Sequence, residues 1–338
     1  MDARVVDAPA PQVLVSGSLA PEDVGEVEGL LQAATDADGV QPLSEHVWLH
    51  LRHGGEGPDV NLRLRAGDVL AGYAHLDPTD PVAGPSAEVV VHPAYRGRGY
   101  GRLLVRAALA AAPGHQLRLW SHGDDPAARA LAHSLGFSEV RRLEQWRRSL
   151  RTPLPDAPLP AGVRLRTFRP GEDDAAWVAL NAATFAGHPE QGSWTLADLH
   201  ARMAEDWFDP SGFLLAEEET PDGGARLVGF HWTKVHGGVG AGGHGHEPIG
   251  EVYVVGVDPG YQGRGLGGAL TVAGLRHLRE LGLGEAMLYV ESDNERAKAV
   301  YRRLGFVWWD TDVMFLRGAS TRPGESAGTA TESDPTRQ

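Results

Sequence analysis

A chain of 338 residues, 42% hydrophobic and 22% charged, is long enough for two domains of ordinary size and apolar enough to bury two cores. A net charge of −14 argues against nucleic acid and anionic membrane as main partners, and zero cysteines exclude disulfides, cysteine-ligated zinc and a cysteine nucleophile. No apolar run reaches membrane-spanning length and no basic-then-apolar leader opens the chain, so a cytoplasmic protein is the expectation.

Residues 1–20 are rich in Pro, Ala and Val without helical spacing and read as a frayed lead with a short strand at Val13–Val15. Pro21, Glu22 and Asp23 suit a first helical turn, and Val24, Val27, Leu30, Leu31 and Ala34 share one face of the helix that follows. A second short helix is predicted over Ser44–Leu51, then strands over Asn61–Arg65 and Val69–Leu76. The β-branched run Val89–Val91 leads into a glycine-rich loop. After it come a helix over Leu103–Ala112, a strand over Leu117–Trp120 and a helix over Ala127–Leu135.

The prolines of Thr152–Gly162 favour extended backbone and read as a linker. Beyond it the plan repeats: strand Val163–Phe168, helices Asp173–Ala183 and Leu196–Met203, strands Phe213–Glu217 and Arg226–Lys234. Residues 236–249 are glycine-dense and hold His236, His244 and His246, which read as part of a mobile loop in preference to a metal site. Residues 319–338 are almost without apolar side chains and are expected to be disordered.

The element around which the chain is organised is Glu251–Leu275. Tyr253, Val254, Val255 and Val257 form a strand, and Pro259 ends it because it has no N–H to donate. Glycines 263, 265, 267 and 268 then let backbone amides approach a bulky anion, and Arg264 adds a charge at the start of a helix. Val89–Gly101 matches Val255–Gly267 at eight of thirteen positions, a constant offset of 166 residues, and Leu-Gly-Phe recurs at 135–137 and 304–306. Two tandem domains of one kind follow, over residues 10–151 and 163–318, each of the α/β (α+β) class with a mixed central sheet flanked by helices. Gly263–Gly268 with Glu291 also fits a dinucleotide fingerprint, but that belongs to the first βα unit of a sheet, not to a strand in mid-domain.

Arg96-x-x-Gly99-x-Gly101 and Gln262-x-x-Gly265-x-Gly267, each after a strand, resemble the loop of the GCN5-related N-acetyltransferases. So does Asn294-x-x-Ala297-x-x-x-Tyr301-x-x-Leu304-Gly305-Phe306. The resemblance implies acetyl-CoA as co-substrate, no metal, and a tyrosine, here Tyr301, placed to protonate the CoA sulfur. Glu251, just ahead of the cofactor strand, is the matching base. A narrower likeness covers nearly all of residues 20–316. It is carried by Phe185–Trp194, Gly229–Val235, Gly250–Val257 and Leu288–Asn294, and points to tandem members that acetylate the cysteinyl amine of a cysteinyl-glucosaminyl-inositol. By position it implies acceptor contacts at Glu45, Glu190, Lys234, Glu251 and Tyr289. In the first half it implies acetyl-CoA contacts at Val89, Val90 and Val91 and at Arg96, Gly97, Arg98, Gly99, Tyr100 and Gly101. In the second half they fall on Val255, Gly256 and Val257, on Gln262, Gly263, Arg264, Gly265, Leu266, Gly267 and Gly268, and on Asn294, Glu295, Arg296, Ala297, Lys298 and Ala299. A monomer acting on a small-molecule amine is implied.

Acetyl transfer needs a base for the ammonium and an acid for the thiolate. The 166-residue offset puts Pro85 where Glu251 stands, and the Leu-Gly-Phe alignment puts Ala132 where Tyr301 stands. Glu88 lies three residues beyond Pro85 and is the nearby carboxylate that a substitute base would require. The first half is therefore expected to be a degenerate, non-catalytic copy that keeps its cofactor loop. An acetyltransferase for another small-molecule or peptide amine is the alternative within the family; a dead acyl-CoA sensor is the alternative of another class, and the presence of Glu251 and Tyr301 in the second half argues against it.

Overall fold

The structure, a computed structural model, describes residues 10–53, 59–79, 84–187, 191–220, 223–236 and 248–318. The expected disordered tail, Glu190, His244 and His246 lie outside the described residues. The first half runs β1 (Gln12–Ser16), α1 (Pro21–Asp38), α2 (Glu45–His53), β2 (Val60–Ala66), β3 (Val69–Asp77), β4 (Ser86–Val91), α3 (Tyr100–Ala111), β5 (Leu117–Ser121), α4 (Pro126–Ser134) and β6 (Ser138–Ser149). The second runs β7 (Val163–Thr167), α5 (Asp174–Thr184), α6 (Leu196–Met203), β8 (Phe213–Glu219), β9 (Ala225–His236), β10 (Ile249–Val257), α7 (Leu266–Glu280), β11 (Glu285–Glu291), α8 (Glu295–Arg303) and β12 (Val307–Arg317). The two orders are the same, element for element, as the internal repeat requires. No helix among the described residues is long and apolar enough to cross a membrane.

All twelve strands join one mixed sheet in the order β1-β2-β3-β4-β5-β12-β6-β11-β10-β9-β8-β7. The halves exchange their last strands: β6 pairs with β11, β12 pairs with β5, and the two pair with each other at the centre. Each core is completed by the other half. Val313 and Phe315 of β12 pack among the first half's Leu62, Leu104 and Leu117, while Trp146 of β6 and the adjacent Leu150 pack among Val272, Leu275 and Leu288 of the second.

Neither exchanged strand was legible in the sequence. Six of the twelve residues of β6, SEVRRLEQWRRS, are charged, so it carries little of the alternating apolar signal of a half-buried strand. Its charges are met by partners from elsewhere: Arg142 pairs with Asp124 at 2.7 Å and Arg141 Nε donates to Glu291 at 2.9 Å.

The second half is built on an aromatic layer. Trp177, Phe213, Phe230 and Trp232 are fully buried, with Phe213 stacked on Trp232 at 4.4 Å and Trp177 edge-on to both. Such pairs add about 0.5–1.5 kcal/mol each beyond the burial of their area. On the other side of β9, helix α7 approaches so closely that a Cβ on Gly274 would meet the buried His231 ring at 2.1 Å. Burial lowers the pKa of His231 to about 4, so the ring is neutral, and its Nδ1 lies 2.7 Å from the Leu270 carbonyl.

Candidate active site

In both halves the middle of the sheet is split. Strand β10 pairs with β11 only at Gly250 and Glu251, although it continues to Val257. Likewise β4 pairs with β5 only from Ser86 to Glu88. Beyond these points the strands part, and the backbone groups of Val255–Val257 on that side are left for something other than a neighbouring strand. The glycine-rich loop lies at the end of each open stretch. Gly263 and Gly265 have φ of 81° and 82°, which only glycine adopts at little cost, and Gly265 caps α7. Arg264 is exposed, lies over the Tyr261 ring at 4.4 Å and has no carboxylate partner among the described residues. The first loop repeats this geometry at Gly97 and Gly99, with φ of 75° and 81°. There Arg98 stacks on Tyr95, and Arg96 is held by Asp38 through two bonds of 2.7 Å.

A cavity of about 970 Å³ opens along the first loop, lined by Val89–Val91, Arg96, Gly97, Gly99, Tyr100, Gly101 and His122 among others. It lies away from Glu251. At the start of α8 the Asn294 side chain accepts from the Ala297 amide at 3.0 Å and caps the helix. Lys298 is buried, and its ammonium is occupied by Glu295 at 2.7 Å and Glu144 at 3.3 Å.

Glu251 is the last paired residue before β10 and β11 separate, is buried, and has the His236 imidazole at 2.6 Å. Tyr301 packs beside Val252, Leu288 and Val290 in the cluster under this fork. Its hydroxyl has no hydrogen-bond partner among the described residues, and burial pushes its pKa up to about 12. Tyr289 accepts from Gln145 at 2.7 Å, and its pKa is raised by burial first and then by the charges of Asp312 and Glu251.

Glu45 comes from the first half and enters the second. Its two carboxylate oxygens accept from Lys234 and from the Tyr253 hydroxyl, across 189 and 208 residues of chain. Arg202 Nε donates to the same hydroxyl at 2.8 Å. Burial works against the charge on Glu45, yet Lys234 first and Arg202 second hold its carboxyl below the usual range. An aromatic wall surrounds the group: Lys234 lies over Trp207 at 4.4 Å and Arg202 over Trp194 at 3.8 Å. Thus Glu45, Lys234, Glu251 and Tyr289 gather at the junction of the halves.

Sequence reasoning did not single out Arg202, Tyr253, Trp207, Gln145 or the contact of His236 with Glu251. Tyr253 read as a strand former, but a bulge between Val252 and Val254 turns it toward Glu45. The bulge also corrects one correspondence. Glu251 stands opposite Lys234, and in the unbulged first half the residue so placed is Ser86, opposite Asp77, not Pro85. Ala132 does correspond to Tyr301: each carbonyl accepts from the phenylalanine amide five residues on. In the first half His50, Asp59 and His75 are also clustered. His50 Nδ1 lies 2.8 Å from an Asp59 carboxylate oxygen, and burial lowers the pKa of His75, keeping that ring neutral beside them.

Residues 28–137 and 175–306 each match the acetyltransferase (GNAT) family model. A mycothiol acetyltransferase of Acidothermus cellulolyticus is 58% identical over 313 residues, which span 90% of this chain and 94% of that protein. The chain belongs to the mycothiol acetyltransferases. A second mycothiol acetyltransferase, from Streptomyces coelicolor, is 53% identical over 299 residues, covering 88% of this chain and 92% of that one. Among solved structures, a GCN5-related N-acetyltransferase from Sphaerobacter thermophilus superposes with a TM-score of 0.63 at 26% identity, over 94% of this chain and 98% of that one. A tandem GNAT protein from the clavulanic acid biosynthesis pathway shares the fold, with a TM-score of 0.69 at 20% identity over 92% and 99% of the two chains. As a member of the mycothiol acetyltransferases, this chain is an acyltransferase built from two GNAT units, and its co-substrate is acetyl-CoA. The open strand edges and positive-φ glycine loops fit that molecule, whose pantetheine is a chain of amides and whose pyrophosphate is an anion.

Proposed function

We propose that the chain moves the acetyl group of acetyl-CoA to the cysteinyl amine of desacetylmycothiol, a cysteinyl-glucosaminyl-inositol, giving mycothiol and CoA. The second half is the enzyme and the first, over residues 10–151, is a scaffold that still holds acyl-CoA in its cavity. The observation that carries the reading is the fork at Glu251, which sets a buried carboxylate where β10 and β11 part and above the cluster that contains Tyr301. Glu251 takes the proton from the ammonium, the new C–N bond forms as the C–S bond breaks, and Tyr301 gives its proton to the departing sulfur. Glu45, Lys234 and Tyr289 hold the hydroxyl-rich acceptor at the junction between the halves, with Glu190 as a further contact. The chain acts as a monomer in the cytoplasm. The monomer is supported by the ends of the sheet, where, among the described residues, the five-residue strands β1 and β7 are its edges.

Incubation of the full chain with acetyl-CoA and desacetylmycothiol, followed by mass spectrometry, tests the reading. The expected product carries one acetyl group on the cysteinyl nitrogen, and glucosaminyl-inositol without the cysteine is left unchanged. Acetylation of an unrelated amine in its place overturns it. The full chain is needed, since an isolated second half lacks β6 and would expose the edges of β11 and β12.

The two loops are expected to respond differently to the same charge reversal. Arg264→Glu places an anion beside the pyrophosphate and should raise KM for acetyl-CoA by about ten-fold or more, with the circular dichroism spectrum unchanged. Arg98→Glu should leave kcat within about two-fold, because the first half moves no proton. Loss of turnover in a folded Arg98→Glu protein would refute the division of labour.

A further inference from the structure

The buried carboxylate of Glu88 has no part in the proton transfers above, and it is costly to keep. The loop alignment makes Val254 its counterpart, a residue that packs in the aromatic layer of the second half. In the first half that apolar position is taken by a charge with 5% exposure. Buried ion networks add little stability over well-packed apolar groups, so such a replacement calls for a positional reason.

The partners of Glu88 supply it. Its Oε2 accepts from the backbone amide of Ser44 at 2.6 Å, and the same oxygen lies 3.3 Å from His122 Nε2. The other ring nitrogen, His122 Nδ1, lies 3.2 Å from Asp312, whose second oxygen accepts from the Gly123 amide at 2.8 Å. Burial opposes a charge on His122, but Glu88 and Asp312 together raise its pKa to about 10, so the group is ionic at neutral pH. Asp312 belongs to β12, the strand contributed by the second half. Ser44 is the residue before Glu45, and its carbonyl accepts from the Trp48 amide to start α2. The network therefore ties the first turn of α2 to the exchanged strand, one residue from the carboxylate that meets Lys234 and Tyr253.

We infer that Glu88, braced by His122 and Asp312, is a positioning residue for the acceptor: it fixes the start of α2 so that Glu45 is held in the binding site of the other half. This gives the degenerate half a further task at the acceptor site, beside supplying Glu45 itself. The inference rests on Glu45 being an acceptor contact, as proposed above.

The test is steady-state kinetics on the full chain with desacetylmycothiol as the varied amine, using Glu45→Ala, Glu88→Ala, Glu88→Gln and the double alanine variant. Glu88→Ala should raise KM for the amine about ten-fold, with kcat and KM for acetyl-CoA within about two-fold, as expected for loss of one charge-assisted hydrogen bond. Glu88→Gln keeps an acceptor for the Ser44 amide and should stay within about two-fold of the parent chain. In the Glu45→Ala background, Glu88→Ala should add nothing further, because the two act through one contact. Additive losses, an unchanged amine KM in folded Glu88→Ala, or equal losses in kcat and acetyl-CoA KM overturn the inference. Should Glu88→Ala fail to fold, Glu88→Leu, which fills the buried volume, carries the same comparison. Failure of both to fold assigns the network to stability alone and also overturns it. An unaltered amine KM in Glu45→Ala would instead refute the acceptor site itself.

Discussion

Tyr301→Phe is expected to lower kcat by about 10²–10⁴-fold with little change in KM for acetyl-CoA. The ring is packed against the second core and lies 5.9 Å from Phe306, so phenylalanine preserves its contacts. The hydroxyl makes no hydrogen bond among the described residues, and its removal orphans no partner. Stability should accordingly change by less than about 0.5 kcal/mol, separating a chemical from a structural effect. The pH dependence follows from the shift. The tyrosine serves as an acid only while protonated, and burial raises its pKa to about 12, so it stays protonated through the neutral and moderately alkaline range. The parent chain should show no basic limb from this group below about pH 11. A Tyr301→Phe protein that turns over normally would leave the tyrosine a packing residue, and a large fall in melting temperature would mark it as structural.

Glu251→Gln should cost about 10²–10³-fold in kcat at neutral pH. Glutamine keeps the size of the side chain and an oxygen for the His236 ring, now 2.6 Å from the carboxylate, but it cannot take a proton from the amine. The sign with pH is distinctive. An α-amine free of its proton needs no base, so the rate of the Gln variant should climb as pH rises through about 8 and close part of the gap to the parent chain. A deficit that stays constant with pH would show that Glu251 orients the acceptor without moving its proton. Full activity at neutral pH would remove it from the mechanism.

The parts of this protein that depend on a residue and its near neighbours were legible in the amino-acid order. Glycine at 263 and 265 is required where φ is positive, a valine run makes the strand before it, and the 166-residue repeat forces two like halves with the same element order. The absence of a tyrosine at the first-half counterpart of Tyr301 was equally plain, since position 132 is an alanine, which cannot donate a proton wherever the chain puts it. The tertiary structure decided which strands exchange, where β10 bulges, and that Glu45 meets Lys234 across 189 residues. Strand pairing is made by backbone groups that every sequence carries, so β6 and β12 announced neither their partners nor, with so many charges in β6, their existence. The bulge shifts the register by one position, so that in the first half Ser86, opposite Asp77, and not Pro85 occupies the place of Glu251. For the same reason Glu88 was readable only as a carboxylate near the first-half counterpart of Glu251. Its neighbours Ser44, His122 and Asp312 come from loops and strands far apart in the chain, and being buried among them is what places its acceptor oxygen at the start of α2.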